Sequence, residues 1–306
     1  MKHLVAIVGP TGIGKSRLAV RLAGLFNGEI VSADSRQVYR HLDIGTAKPA
    51  PQDLSLVPHH LIDIVSPDED FSLALYQELA YRAIEDIHRR NRLPFLVGGS
   101  GLYVKSVLEG WQIPEVSPDS EFRYNREKRV VENGVDGLYE ELVRVDPDAA
   151  RKIDRRNVRR VIRALEVHAK AKTPFSRLGS KRAPAFDSFI IGLTTDRSEL
   201  YRIVDRRVDE MIERGLVSEV EKLLKMGYDL DLPAMSGIGY RQIGQYLNGE
   251  LSFEEARQKI KTETHRFIRH QYAWFRLSDK KIHWFDIGCQ DSAEIESLLT
   301  EYLKSG

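Results

Sequence analysis

The apolar run Leu4-Val5-Ala6-Ile7-Val8 leads directly into Gly9-Pro10-Thr11-Gly12-Ile13-Gly14-Lys15-Ser16, and a segment of helical character, Arg17 to Phe26, follows. G-x-x-x-x-G-K-S between a strand and a helix is the pattern of a phosphate-binding loop. Gly9 and Gly14 let backbone N–H groups curl around phosphate oxygens, and the helix behind adds its positive N-terminal dipole. Lys15 reaches the terminal phosphates, and the Ser16 hydroxyl is suited to ligate Mg²⁺. A plain glycine-rich turn is the weaker reading. The stretch Gly9, Pro10, Thr11, Gly12, Ile13, Gly14, Lys15 and Ser16 is thus the candidate site for a di- or triphosphate.

Alternation of strand-like and helix-like segments continues to about residue 110. Glu29–Ala33 reads as a second strand, His60–Val65 as a weaker third, and Pro94–Val97 as a short, fully apolar one. Helical spacing covers Ser72–Asn91 and Leu102–Leu108. This pattern predicts an α/β fold: a P-loop-type core with a parallel sheet flanked by helices. Ligands in such sheets sit at the carboxyl ends of the strands, so Gly9–Ser16, Asp34 and Gly98–Gly101 are expected on one rim.

From about Ile113 to Pro184 the chain is charged and helical in pattern, bordered by Pro114 and Pro118 at entry and by Lys172–Pro174 and 179–184 at exit. Phe189–Leu193 then reads as a returning strand. An inserted helical subdomain at 113–186 is expected, with 1–112 and 187–306 forming the core. Helices follow at Ser198–Arg214, Leu216–Lys225, Gly239–Asn248 and Phe253–Leu277, and Ile282–Phe285 is a candidate last strand.

In this chain of 306 residues, the hydrophobic share is 42%, the charged share 30% and the formal net charge +1. Affinity for nucleic acid must then come from local patches. The single Cys289 excludes an intramolecular disulfide and a Cys-based zinc site, in keeping with a reducing cytoplasm. No run approaches the roughly 18 apolar residues of a membrane span, and the N-terminus lacks the architecture of a signal peptide. A cytoplasmic protein with no membrane partner is expected.

Asp34 ends the second strand within Ser32-Ala33-Asp34-Ser35-Arg36-Gln37-Val38-Tyr39. On the rim it is suited to hold Mg²⁺ through water or to act as a general base. Capping a helical turn is its alternative role. The best candidate for an Mg²⁺-supporting strand ends in Gly98-Gly99-Ser100-Gly101 rather than in Asp, and no Asn-Lys-x-Asp motif occurs. Motor ATPase and GTPase readings weaken, leaving a kinase or another transferase. The run Arg151–Arg163 holds seven basic residues against one acidic residue, a concentration suited to phosphate-backbone contact. In the helix near residues 200–214, Arg206 and Arg207 cannot both face the core. Arg266, Phe267, Arg269, His270, Tyr272, Trp274, Phe275 and Arg276 interleave aromatic and basic groups, which fits base stacking or an amphipathic helix equally well.

Taken in order, these segments resemble the bacterial tRNA dimethylallyltransferases, also called tRNA isopentenyltransferases. The resemblance is carried by Gly9–Ser16, Asp34–Tyr39, Asp43-Ile44-Gly45-Thr46-Ala47-Lys48-Pro49, Pro58–Asp63, Leu96–Tyr103, Arg163–Val167 and Gly239–Gln242. It implies transfer of a dimethylallyl group from its diphosphate to the exocyclic amine of the adenine 3′ of the tRNA anticodon. The phosphate loop, Thr11 and Arg207 would then hold the donor's pyrophosphate, with Mg²⁺ as cofactor. Asp34 would be the general base, with Ser100 beside the channel where adenine and donor meet. Ser100 stands where the family usually has Thr, so the hydroxyl is kept and a methyl is lost. Asp34, Ser35, Arg36, Gln37, Ser100, Arg123, Arg159, Arg160, Val161, Ile162 and Arg163 fall where the family touches tRNA. The insertion would grip the anticodon stem-loop through its phosphates. A monomer without a protein partner is the family expectation.

Two other classes compete: a small-molecule or nucleoside kinase using ATP in the same loop, and a non-catalytic RNA-binding ATPase switch. The kinase predicts ATP turnover and gives the basic insertion no task. The switch predicts nucleotide-dependent RNA affinity without RNA modification.

Overall fold

The computed structural model describes residues 2–114, 116, 119–178, 185–288 and 292–304. The expected borders at Pro118 and 179–184, and Cys289, lie outside these residues. The chain divides into two compact units, Met1–Leu108 with Pro184–Gly306, and Glu109–Ala183, against the expected 113–186 for the smaller one.

In the larger unit the order is β1 (His3–Val8), α1 (Lys15–Leu25), β2 (Gly28–Ser32), α2 (Pro51–Leu56), β3 (His59–His60), α3 (Leu73–Arg89), β4 (Leu93–Val97) and α4 (Gly101–Leu108). The smaller unit holds α5 (Ser120–Asn133), α6 (Asp136–Val145), α7 (Pro147–Lys152), α8 (Val158–Ala171) and α9 (Phe175–Leu178). The larger unit resumes with β5 (Asp187–Thr194), α10 (Arg197–Glu213), α11 (Leu216–Lys225), α12 (Tyr240–Leu247), α13 (Phe253–Trp274), β6 (Ile282–Asp286) and α14 (Ser292–Lys304).

All six strands pair in parallel, in the order β3-β2-β4-β1-β5-β6. Both faces are covered, which is why the central strands β1 and β4 are almost continuously apolar. In β1, Val5 and Ile7 face a cluster with Leu22 of α1, Val204 of α10, Ile268 of α13 and Leu299 of α14. Leu4, Ala6 and Val8 face the opposite side, against Ile84 of α3 and Val104 of α4. Each fully buried Val, Leu or Ile among them contributes about 1.5–3 kcal/mol relative to exposure. The order places β2, β4 and β1 side by side, so the loops after them emerge as neighbours at the carboxyl edge, roughly 4.8 Å per strand apart.

The expected third strand, His60–Val65, shortens to β3. Leu61 and Asp63 have φ of 63° and 55°, which turns the chain out of the sheet. The segment instead pairs with the Asp34 loop: Asp63 N–H donates to Gln37 O and Ile64 N–H to Val38 O. The smaller unit has its own apolar centre, including Leu142, Val161, Ile162 and Leu165.

Candidate functional site

Gly14, at φ 93°, has nothing within 4 Å of where a Cβ would sit, so it is the backbone turn into α1 that requires glycine there. Ile13 is buried in the core and anchors the loop, while the Ser16 side chain is exposed. Lys15 is half-buried, and its Nζ donates to the carbonyl of Pro10 at 2.7 Å. Burial pulls its pKa from 10.5 to about 7, with Asp34 opposing the shift and Arg207 adding to it. Arg207 likewise has its pKa lowered by burial, against the pull of Asp34. Neither cation forms an ion pair with a described residue. Arg206, by contrast, is exposed and pairs with Glu210 at 3.6 Å. The fold therefore selects Arg207 as the inward arginine.

Asp34 lies just beyond β2. Its Oδ1 accepts the N–H groups of Arg36 at 2.8 Å and Gln37 at 3.4 Å, so the carboxylate shapes its own turn. Ser100, beyond β4, fixes that turn from the side. The Ser35 N–H donates to Ser100 Oγ at 3.1 Å, the two hydroxyls lie 3.3 Å apart, and Ser100 N–H donates to Ala33 O at 3.3 Å. Tyr76 OH supports the end of β2 from below, donating to Ser32 O at 3.2 Å.

Arg36 and Gln37, expected to touch tRNA, have their side chains engaged within the protein. Arg36 binds the carbonyls of Pro233 and Ala234 and the Ser236 hydroxyl. Gln37 accepts from Ser32 Oγ and donates to the carbonyls of Thr46 and Ala47. This gives the Asp43–Lys48 segment a structural task. Its Asp43, Ile44 and Gly45 amides donate to the Glu219 carboxylate, which also accepts from Tyr240 OH at 2.6 Å. Lys48 joins Tyr39 O, Asp43 and Asp63. Nothing in the sequence pattern assigns a role to Glu219 or Gln271.

Gln271 of α13 is 3% exposed. Its Oε1 accepts the Thr11 N–H at 2.8 Å, and its Nε2 donates to Gly99 O at 3.1 Å. The one available signal is a lone amide on a stripe that otherwise buries Ala256, Ile260, Ile268 and Phe275. The aromatic-basic interleaving around it resolves mainly as an amphipathic helix. Phe275 is buried, Tyr272 hydrogen-bonds Thr194 at 2.9 Å, and Trp274 packs on Gly101, leaving Phe267 exposed.

In the smaller unit, Arg123 and Arg163 are held by Glu166, which is 0% exposed. Val161 and Ile162 are buried in that unit's core, so their side chains are withdrawn from any surface contact. Of the basic run, Arg151, Arg155 and Arg156 pair with nearby aspartates. Arg159 and Arg160 are exposed and form no ion pair with a described residue. The phosphate-contact reading thus narrows from the whole run to these two arginines and Lys152. Among the described residues, no group of three His, Cys, Asp or Glu is arranged to hold a metal. None of the helices described is long and apolar enough to cross a membrane.

The model of the family described as IPP transferase matches residues 37–278, and one described as isopentenyl transferase matches residues 2–63. The chain belongs to the IPP transferase family. It is 50% identical over 303 residues to a tRNA dimethylallyltransferase of Dehalococcoides mccartyi, covering 99% of this chain and 93% of that protein. A tRNA dimethylallyltransferase of a Roseiflexus species is 53% identical over 276 residues, 90% of either chain. Among solved structures, the tRNA isopentenylpyrophosphate transferase of Bacillus halodurans is similar with a TM-score of 0.75 and 41% identity, over 100% of this chain and 98% of that one. A eukaryotic dimethylallyltransferase acting on tRNA aligns with a TM-score of 0.80 and 26% identity, over 100% of this chain and 80% of that one. As in those family members, the fold here is a parallel sheet flanked by helices.

Proposed function

We propose that this IPP transferase family member moves a dimethylallyl group from dimethylallyl diphosphate to the exocyclic amine of the adenine 3′-adjacent to the tRNA anticodon. The observation that carries the reading is that two half-buried basic groups with no ion-pair partner among the described residues, Lys15 and Arg207, lie within electrostatic reach of Asp34. Such cations suit a leaving group that gains negative charge, and the carboxylate suits an amine that must lose a proton.

In this reading the C–O bond between the allyl carbon and the diphosphate breaks as the adenine nitrogen forms its bond to that carbon. The electron pair leaves with inorganic pyrophosphate, and the amine proton passes to Asp34. An aromatic amine is a poor nucleophile, so orientation and proton removal are what the protein must supply. Ser100 supports the base by fixing the Ser35 amide beside it. Loop amides, Lys15, Arg207 and Thr11 bind the pyrophosphate.

The exposed Ser16 hydroxyl at the start of α1 would be a protein ligand to Mg²⁺, next to where phosphate oxygens would lie. When bound, Mg²⁺ would neutralise charge on the leaving pyrophosphate. The target base must leave its stack to reach the rim. Exposed Arg159 and Arg160 would supply backbone contacts in the insertion. A cytoplasmic location fits a tRNA substrate.

The test is mass spectrometry of nucleosides from unmodified tRNA incubated with the protein, Mg²⁺ and dimethylallyl diphosphate. Isopentenyl-adenosine is the expected product. Its absence from a tRNA with adenines next to the anticodon would sink the reading, and turnover of ATP supplied in a parallel reaction would then favour a kinase.

A further inference from the structure

Two loops divide the work on the rim. The loop after β1 leads into Lys15, one of the two cations for the leaving group, and the loop after β4 holds the Ser35 turn beside Asp34 through Ser100. The loops are not joined by a regular ladder beyond the strand ends. Gln271 reaches both from α13, bonding the Thr11 amide and the Gly99 carbonyl with the two ends of one primary amide. Gly99 is bare to admit it: a Cβ there would lie 2.2 Å from Gln271 Nε2 and 3.3 Å from Gly9 O. A buried amide whose two polar atoms are both satisfied by separate loops is a rigid spacer, because breaking either bond leaves a buried backbone group unpaired.

We propose that Gln271 is a positioning residue that sets the spacing between the pyrophosphate-binding loop and the loop supporting Asp34. The proposal rests on the transferase reading above. Its consequence is specific. With the clamp intact, the amine held by Asp34 and the allyl carbon held through its diphosphate meet at bonding distance. Without it, each half still binds its own ligand, but the register between them is lost.

Wild-type protein is assayed first, so that failure to prenylate tRNA counts against the transferase reading and not against the clamp. Gln271→Met keeps the side chain's length and shape while removing both hydrogen bonds. Expected is a fall in kcat of tenfold or more at saturating donor and tRNA, with the KM for tRNA within about twofold of wild type. A kcat within twofold of wild type would overturn the proposal, as would a loss confined to KM. A second measurement uses the wild-type protein alone and so does not depend on the variant folding. Amide hydrogen exchange is followed with and without inorganic pyrophosphate and Mg²⁺. The clamp predicts that residues 9–16 and 98–101 gain protection together. Protection of 9–16 with 98–101 unchanged would show that the loops are uncoupled and would remove Gln271 from this role.

Discussion

At the carboxyl edge of the sheet, Lys15 and Arg207 are half-buried with no ion-pair partner among the described residues, and their pKa values are lowered by burial. In the helical insertion, Arg123 and Arg163 close on the buried Glu166, which also accepts the Asp119 amide at 2.7 Å. Burial pushes the Glu166 pKa up, but the hydrogen bonds from Arg123 and Arg163 outweigh it and hold the carboxyl below its ordinary range. The rim keeps the charges of Lys15 and Arg207 uncompensated, whereas Arg123 and Arg163 are used up internally. Uncompensated charge raises the energy of the folded protein and is useful where a ligand of opposite sign arrives. Compensated charge fixes a helix pair and has little left for a ligand. A run of arginines in a sequence therefore cannot be counted as a binding surface until its carboxylates are located.

Asp34 is the most sensitive point of the rim. Asp34→Asn should lower transfer by about 10²–10⁴ while tRNA binding is kept. Single-turnover kinetics beside a filter-binding measurement would decide it, and retained turnover would remove Asp34 from the role of base. Lys15→Met should cost about 10²–10³ in kcat. The same change should raise the melting temperature at pH 6. The lysine's folded pKa of about 7 lies below its ordinary 10.5, so the charge costs the folded state most below pH 7. That cost fades as pH rises from about 7 towards 10.5. A variant both inactive and less stable would contradict the idea of an uncompensated cation.

Glu166→Ala should do the reverse, losing stability of the insertion by about 1–3 kcal/mol, because Arg123 and Arg163 keep partial access to water. Denaturation followed in that unit would measure it. The stabilisation should also fall as pH drops through the depressed pKa of Glu166, since its contribution is present above its unfolded pKa. Arg159→Ala with Arg160→Ala should weaken tRNA binding across sequences and reduce the salt slope by about 1 for each phosphate left unneutralised. Arg123→Ala, if its main task is Glu166, should change stability more than that slope. The smallest effect expected is a decline in donor affinity above pH 7, at most about tenfold per pH unit. Pyrophosphate favours the charged Lys15, so a protein that is neutral there must take up a proton to bind. Calorimetry in two buffers of different ionisation enthalpy would report that proton.

Much of this is legible in the chain. Strong local signals survive because they depend on few neighbours: the strand before Gly9, the glycine turn into α1, and the apolar stretch Pro94–Val97 all need only backbone and burial. Leu216–Lys225 matches its expected ends, since its apolar spacing and the glycine before it are local. His60–Val65 departs from expectation because β propensity does not report the positive φ at Leu61 and Asp63, which long-range bonds to the Asp34 loop support. The final helix, Ser292–Lys304, has no counterpart among the expected elements. Its Ile295 and Leu299 acquire their apolar face only against the sheet.

The glycine-rich loop after β1, the alternation that forces a parallel sheet, and the ordered motifs that indicate the family are all readable in the chain. Each of these is written in contiguous residues. Which charges are free and which are spent emerges only on folding. Folding turned Arg207 inward and Arg206 outward, matched Arg123 and Arg163 to a glutamate, and withdrew Val161 and Ile162 into a core. It also carried Gln271 across 260 residues to Thr11. The physical reason is that desolvation and hydrogen-bond satisfaction are properties of a place in the fold, set by all the chain segments that meet there.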